Sequence, residues 1–406
     1  MMNKILRKEW LNFLIRYKDK NIIKVVSGVR RCGKSTLFEL YQEHLLKHGI
    51  AKKNIIAFNF EDLENESIRT YKELYDTIKG RLSPNGKNYV FLDEVQLLQN
   101  FEKAVDSLFI KKNVDLYITG SNAYFMSGEL ATLLSGRYVE LKMLPLSFKE
   151  YSIGCKMFRK NDRKKSIEDL YFDYLSESSF PYTLQLNGKK EDIREYLQGI
   201  YSSILLKDIV ARLKISEVMQ LESIVKFIFD SIGSQLSTTK IANTMKSPGR
   251  KIDTKTVEKY ICGLKDSLIL YYAGRFDIKG KQYLSTLGKY YVVDIGLRNM
   301  LLGNRGGEVG HILENVVYLE LLRKNYKVSV GVIDDYEVDF VAENDMGITY
   351  FQVAASVRDT DVLNRELRSL QKIKDNYPKY LITLDNDPEV QHNGILQVNA
   401  LKWLLE

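Results

Sequence analysis

Cysteine is scarce in this chain. Only Cys32, Cys155 and Cys262 occur in 406 residues, far apart and with no CxxC pair, which excludes a disulfide framework and a zinc ribbon. Long apolar runs are also missing. The longest stretch without Asp, Glu, Lys or Arg is the 13 residues from Leu116 to Gly128, short of the ~20 needed to span a bilayer. The opening MMNKILRKEWLNFLIRYKDK is too densely charged for the apolar segment of a signal peptide. These absences set aside secreted and membrane-spanning classes and lead to the expectation of a reducing, cytoplasmic compartment. There is no internal repeat and no low-complexity tract. No NKxD tetrapeptide of the guanine-reading kind occurs, and His44 and His48 sit in HLLKH, which lacks the glutamate of a zinc-binding HExxH.

What remains is a chain of ordinary globular composition, 45% hydrophobic and 28% charged, long enough for two or three domains. Its formal charge is +8, unevenly spread. Between Lys240 and Lys289 there are 11 Lys and Arg against 4 Asp and Glu, whereas between His311 and Tyr350 there are 3 against 8. A basic middle and an acidic later part suggest modules with different partners, or with each other as partner.

The first 150 residues alternate strand-like runs with helical patterns. KVVSGV (24–29), NIIAFNFED (54–62), NYVFLDEV (88–95), DLYITGS (115–121) and RYVELKMLPL (137–146) read as strands, with helices such as STLFELYQEHLLKH and FEKAVDSLFIKK between them. Such alternation predicts an α/β fold with a parallel sheet covered on both faces. KMFRKNDRKKS (156–166) reads as an exposed basic connection, and 167–235 as helical.

Gly28-Val29-Arg30-Arg31-Cys32-Gly33-Lys34-Ser35 satisfies GxxxxGK[ST] between an apolar strand and a helix. In such a loop the backbone amides and the helix N-terminus cradle phosphates. Arg30, Arg31, Cys32 and Thr36 complete the expected nucleotide-binding set around Gly28, Gly33, Lys34 and Ser35. Lys34 would reach the β- and γ-phosphates and the Ser35 hydroxyl would face Mg²⁺. Tyr89-Val90-Phe91-Leu92-Asp93-Glu94 is a hydrophobic strand ending in two carboxylates. Asp93 would hold the ion and Glu94 would activate the attacking water. A further strand ends in Thr119, Ser121 and Asn122, which either sense the γ-phosphate or close an ordinary turn. Arg137, in Ser135-Gly136-Arg137, either stabilises transition-state charge, in its own or a neighbouring subunit, or forms a structural ion pair. ATP, with Mg²⁺, is the expected ligand.

GVRRCGKST, YVFLDEVQ, ITGSN, LLSGR and LPLSFKEY together resemble the AAA-type P-loop ATPases of bacteria and archaea built as two-part proteins. Phe180-Pro181, YSSILLKDIV (201–210), LGKYYVVDIGLRNMLLG (287–303) and EVDFVA (337–342) extend the likeness over nearly the whole chain. The resemblance implies an AAA-type ATPase domain followed by a C-terminal half of unknown function with a restriction-endonuclease-like core. We therefore expect an ATPase domain over 1–155, a helical connecting region over 156–220, a winged-helix-like basic module over 221–305 and a nuclease-like α/β domain over 306–406.

In the basic module, LSTTKIANTMKS and DTKTVEKYICGLKDS predict two short helices around Pro248-Gly249, followed by a strand-turn-strand. A helix over Thr254–Lys265 would be offered to DNA, with Lys246, Arg250, Lys251, Lys255 and Lys259 at phosphates and Arg275, Lys279 and Lys281 on the wing. A protein-binding module, or a basic face packed on the acidic half, is the equal alternative. In the last module Glu314, Asp339 and Gln352 follow the order of a nuclease metal site. The ExK position reads Gln352-Val353-Ala354, so the expectation is a nuclease-like fold without robust nuclease activity. Arg358, a displaced basic group, would be a poor base because guanidinium stays protonated.

Overall fold

The computed structural model describes residues 4–121, 134, 136–245, 252–303 and 308–406. It forms two compact units, one of residues 1–145 with 266–268, the other of 146–265 with 269–406.

In the first unit the order is α1 (Lys8–Arg16), β1 (Ile23–Ser27), α2 (Lys34–Lys47), β2 (Ile55–Asn59), α3 (Tyr71–Arg81), β3 (Asn88–Asp93), α4 (Phe101–Phe109), β4 (Val114–Gly120) and β5 (Tyr138–Lys142). The five strands pair in the order β2-β3-β4-β1-β5, all parallel. β1, β3 and β4 are buried along their whole lengths, which is why they read as continuous apolar runs rather than alternating ones. On one face Leu74, Ile78, Val105 and Leu108 pack against Val25, Val90, Leu92 and Leu116. On the other, Phe38 and Tyr41 of α2 meet Phe91 and Tyr117 edge-on or tilted. Parallel registration brings Ser27 level with Gly120, and Asn59 level with Asp93. The loops after β1, β3 and β4 therefore open at one edge, the place where α/β sheets bind ligands.

The second unit begins with α5 (Phe148–Phe158), whose Ser147 and Glu150 form a reciprocal cap. It continues through α6 (Ile167–Ser176), α7 (Lys190–Ser203, running on as wide turns over Ile204–Ala211), α8 (Val218–Asp230), β6 (Gln235–Leu236), α9 (Thr238–Thr244) and α10 (Thr254–Asp266). Then come β7 (Leu270–Asp277), β8 (Gln282–Val292), α11 (Ile295–Leu302), α12 (Val309–Arg323), β9 (Lys327–Ile333), β10 (Tyr336–Asn344), β11 (Gly347–Ala354), α13 (Thr360–Gln371), β12 (Lys379–Thr383), β13 (Val390–His392), β14 (Ile395–Asn399) and α14 (Ala400–Trp403). Nine strands form one sheet, in the order β13-β14-β12-β11-β10-β9-β7-β8-β6. The strand-turn-strand that the sequence suggests as a wing is thus β7 and β8, and β7 joins β9 in parallel.

Two details correct or sharpen the sequence reading. The basic run 156–166 is exposed at Lys156, Met157 and Arg163–Ser166 but is anchored at Arg159 and Asp162, which are buried. Arg159 is buried, with Nη1 2.7 Å from Glu177 and 3.5 Å from Asp162, and its other nitrogens donate to the Thr183 and Leu184 carbonyls. A guanidinium supplies enough donors to satisfy all of these, so it can be buried where a lone charge could not. One of the places where the chain passes from one unit to the other is the Pro145–Leu146 bond. On one side the Pro145 carbonyl accepts from Arg7 at 3.1 Å. On the other, the Leu146 amide donates to the Ser179 carbonyl at 2.9 Å, and its carbonyl accepts from Tyr174 and Arg323, each at 3.2 Å.

Candidate nucleotide site

The loop after β1 needs a backbone that only some residues permit. Gly33 has φ +107 and Arg31 φ +66, both left-handed values. Gly28 is required by space instead: a Cβ there would lie 2.4 Å from the Met143 carbonyl oxygen and 2.8 Å from the Cys32 sulfur. Cys32 is fully buried beneath the loop, and burial pushes its thiol up despite the nearby Lys34 ammonium. It is a packing residue, not a reactive one. Arg30 reaches Glu61 at 2.8 Å, while Arg31, Ser35 and Thr36 remain exposed.

Lys34, on the first turn of α2, turns back into the protein. Its Nζ lies 3.1 Å from Glu94 Oε1 and donates to the Gly28 carbonyl at 3.0 Å and the Val29 carbonyl at 3.4 Å. Asp93 and Glu94 come from the carboxyl end of β3. The Asp93 carboxylate accepts from the hydroxyls of Ser35 and Thr119. Thr119 Oγ1 in turn accepts from the Glu94 amide at 2.9 Å. Glu94 has φ +51, an uncommon conformation for a residue with a side chain, and Gln96 Nε2 donates to its Oε2 at 2.6 Å. Burial raises the Asp93 carboxyl, only partly offset by the Ser35 and Thr119 hydroxyls. Burial acts on Glu94 too, but Lys34 and Gln96 outweigh it and hold that carboxyl below its ordinary range. Paired acids with environments this different suit different chemical tasks.

Glu94, Lys34, Ser35 and Asp93 are therefore brought together, with Thr119 and Ser121 beside them. Asn122 lies outside the described residues. Arg137 is not brought to the phosphate loop of its own chain. β1 and β5 run parallel with Ile23 level with Tyr138, so Arg137 sits at the amino edge of the sheet, about a strand's length away. There it pairs with Asp106 and lies 5.9 Å over the Phe109 ring.

The second unit gathers another charged cluster. Glu314 of α12, Asp339 of β10 and Gln352 of β11 converge as the sequence order suggests, but around a lysine that sequence reasoning missed. Lys289 Nζ, from β8, lies 2.8 Å from Glu314, 3.3 Å from Asp339 and 2.6 Å from Glu337. Tyr291 donates to Glu314 at 2.7 Å, and Gln352 accepts from the Asp339 amide at 3.3 Å while donating to Glu366 at 2.9 Å. Arg358 does not reach this cluster; it lies 3.5 Å from Asp385 and 3.7 Å from Asp387. Lys255 and Lys259 are exposed on α10, whereas Lys246, Arg250 and Lys251 lie outside the described residues. No group of three or more His, Cys, Asp or Glu suited to a metal occurs among the described residues. No described helix is long and apolar enough to cross a membrane.

Comparison with known proteins agrees with this geometry. Residues 20–152 match a family model described as an AAA domain, and residues 168–308 match one described as a domain of unknown function (DUF8612). An uncharacterized protein of Haemophilus influenzae is 39% identical over 404 residues, 99% of each chain. An uncharacterized protein of Methanocaldococcus jannaschii, MJ1544, is 32% identical over 371 residues, 87% of this chain and 79% of that one. Among solved structures, the Walker-type ATPase paby2304 of Pyrococcus abyssi aligns with a TM-score of 0.54 at 15% identity, covering 73% of this chain and 96% of that one. That likeness is one of fold. At 39% and 32% identity over most of its length, the chain belongs to the family of these bacterial and archaeal proteins, and it joins an AAA domain of the P-loop ATPase kind to a domain of unknown function.

Proposed function

We propose that the protein hydrolyses ATP at the edge where β1, β3 and β4 end, and that its nucleotide state acts on the second unit. The observation that carries this reading is the Lys34–Glu94 pair at 3.1 Å. The ammonium meant for phosphate and the carboxylate meant for water hold each other. Phosphate oxygens entering the loop would draw Lys34 away and leave Glu94 ionised, ready to take a proton from water. The donor set beside them suits a hard divalent ion: the Ser35 hydroxyl and the Asp93 carboxylate are hydrogen-bonded to each other, and Mg²⁺ prefers such oxygens. When bound, the ion would neutralise charge on the β- and γ-phosphates. Arg137 can serve only another subunit's nucleotide in this scheme, which is a proposal of homo-oligomeric action.

The test is ATP binding and turnover by wild type, Lys34→Ala and Glu94→Gln. Lys34→Ala should lose binding. Glu94→Gln should bind ATP and hydrolyse it ~10²–10³-fold more slowly, within the range for a lost general base. Unimpaired turnover in Glu94→Gln would remove Glu94 from this role.

For the second unit we propose a winged-helix-like basic module over 221–305 and a nuclease-like module over 306–406 that does not cleave nucleic acid. The support for inactivity is Lys289, whose ammonium lies between the two carboxylates that a metal would need. The same Lys34–Glu94 contact favours a second reading, a nucleotide-switched DNA- or protein-binding regulator with little turnover until a partner arrives.

A further inference from the structure

Arg7 lies just before α1, far in sequence from any nucleotide motif, yet it is only 4% exposed. Its Nη1 donates to the Cys32 carbonyl and its Nη2 to the Pro145 carbonyl, each at 3.1 Å. The guanidinium also faces the Trp10 ring, 5.4 Å from its centroid. Pro145 follows the stretch after β5, where Met143 forms the wall against Gly28. Arg7 therefore ties the loop to the chain that encloses it.

One peptide unit matters most. The bond between Cys32 and Gly33 is trans, and in a trans peptide the carbonyl and the N–H point in opposite directions. Holding the Cys32 oxygen toward Arg7 turns the Gly33 N–H the other way, into the loop. That N–H stands directly before Lys34 at the start of α2, where amides meet an anion. Arg31, at φ +66, holds the turn before this unit in a conformation that a residue with a side chain would not prefer in the free chain. A buried, charge-assisted hydrogen bond is a suitable restraint for it.

We propose that Arg7 is a positioning residue of the phosphate loop: by holding the Cys32 carbonyl it aims the Gly33 amide at the phosphates of ATP. The inference rests on the loop being an ATP site. It is tested with the full chain as wild type, Arg7→Ala, Arg7→Lys and Lys34→Ala, each titrated with a fluorescent ATP analogue and assayed for steady-state hydrolysis, with thermal melting as a check of folding. Arg7→Ala should raise the Kd about tenfold, the fold-change that one charge-assisted hydrogen bond supports, with kcat at saturating ATP nearly kept. Arg7→Lys, which retains the charge but not the two-carbonyl fork, should fall between. A purely structural role would lower the melting temperature while leaving the Kd unchanged, and that result overturns the proposal. Should Arg7→Ala fail to fold, an Arg7→Lys variant with wild-type Kd overturns it equally. Wild type that binds no better than Lys34→Ala would instead sink the ATP reading, and this inference with it.

Discussion

The Thr119 hydroxyl accepts from the Glu94 amide at 2.9 Å and donates to the Asp93 carboxylate, so a single buried oxygen spaces the two acids. Replacing Thr119 with Val keeps the volume and removes both bonds. Turnover should fall about tenfold and require more Mg²⁺, in line with the loss of hydrogen bonds to charged groups, while Thr119→Ser should restore most of both. Rates measured across a Mg²⁺ titration decide it, and a Val variant with unchanged rate and midpoint would refute the role. At this scale the sequence showed what local patterning can show. Asp93 and Glu94 stand at the end of an unmistakable apolar run, and Lys34 in an unmistakable glycine-bounded loop after another. Arg7 and Lys289 do not: an arginine beside a helix start and a lysine in a basic stretch look like solvated surface, and only tertiary packing reveals that both are buried.

Among the elements, β8 has the most to explain, because it carries Lys289 into the acids of α12 and β10. Lys289→Met would leave Glu314 and Asp339 buried without their cation, a change that costs about 3–5 kcal/mol when a buried pair is broken. A melt of the full chain should show it as a lowered transition of the second unit. Burial, reinforced by the Asp339 charge, pushes the Glu314 carboxyl up to about 7 against the pull of Lys289. The folded chain then holds this proton more tightly than the unfolded chain, so its contribution is full below the ordinary glutamate range and is lost as the pH rises toward 7. The melting temperature should decline over that window, and Glu314→Gln should flatten the decline; an equally steep slope in the variant would count against it. The strands of the first unit begin within a residue of the runs that the sequence shows, but β2 and β5 stop three and four residues before those runs do. The nine-stranded sheet was not, since β7 pairs with β9 across α11 and α12, a long-range choice that no local period encodes.

For the whole molecule, the exposed Lys255 and Lys259 on α10 set the clearest expectation about partners. If the basic module meets DNA, duplex DNA should stimulate ATP hydrolysis at ~50 mM salt and lose its effect by ~200 mM, as counterion release requires. A Lys255→Glu, Lys259→Glu double variant should show little stimulation at either salt. Hydrolysis indifferent to DNA at low salt would favour a protein partner. The two-part organisation was legible from the motifs; the compact units divide at Pro145–Leu146, with 266–268 rejoining the first, a return that no local signal marks. Composition marks polar linkers, whereas here the backbone is hydrogen-bonded on either side of the bond, each side within its own unit. Arg7 grips one side of that bond, and Ser179, Tyr174 and Arg323 grip the other. A gene fusion that swapped the second half for that of a distant cousin would sever neither grip in the protein, yet would inherit each from a different parent. Chimaeras joined at this bond should therefore keep both sets of hydrogen bonds, each from its own parent.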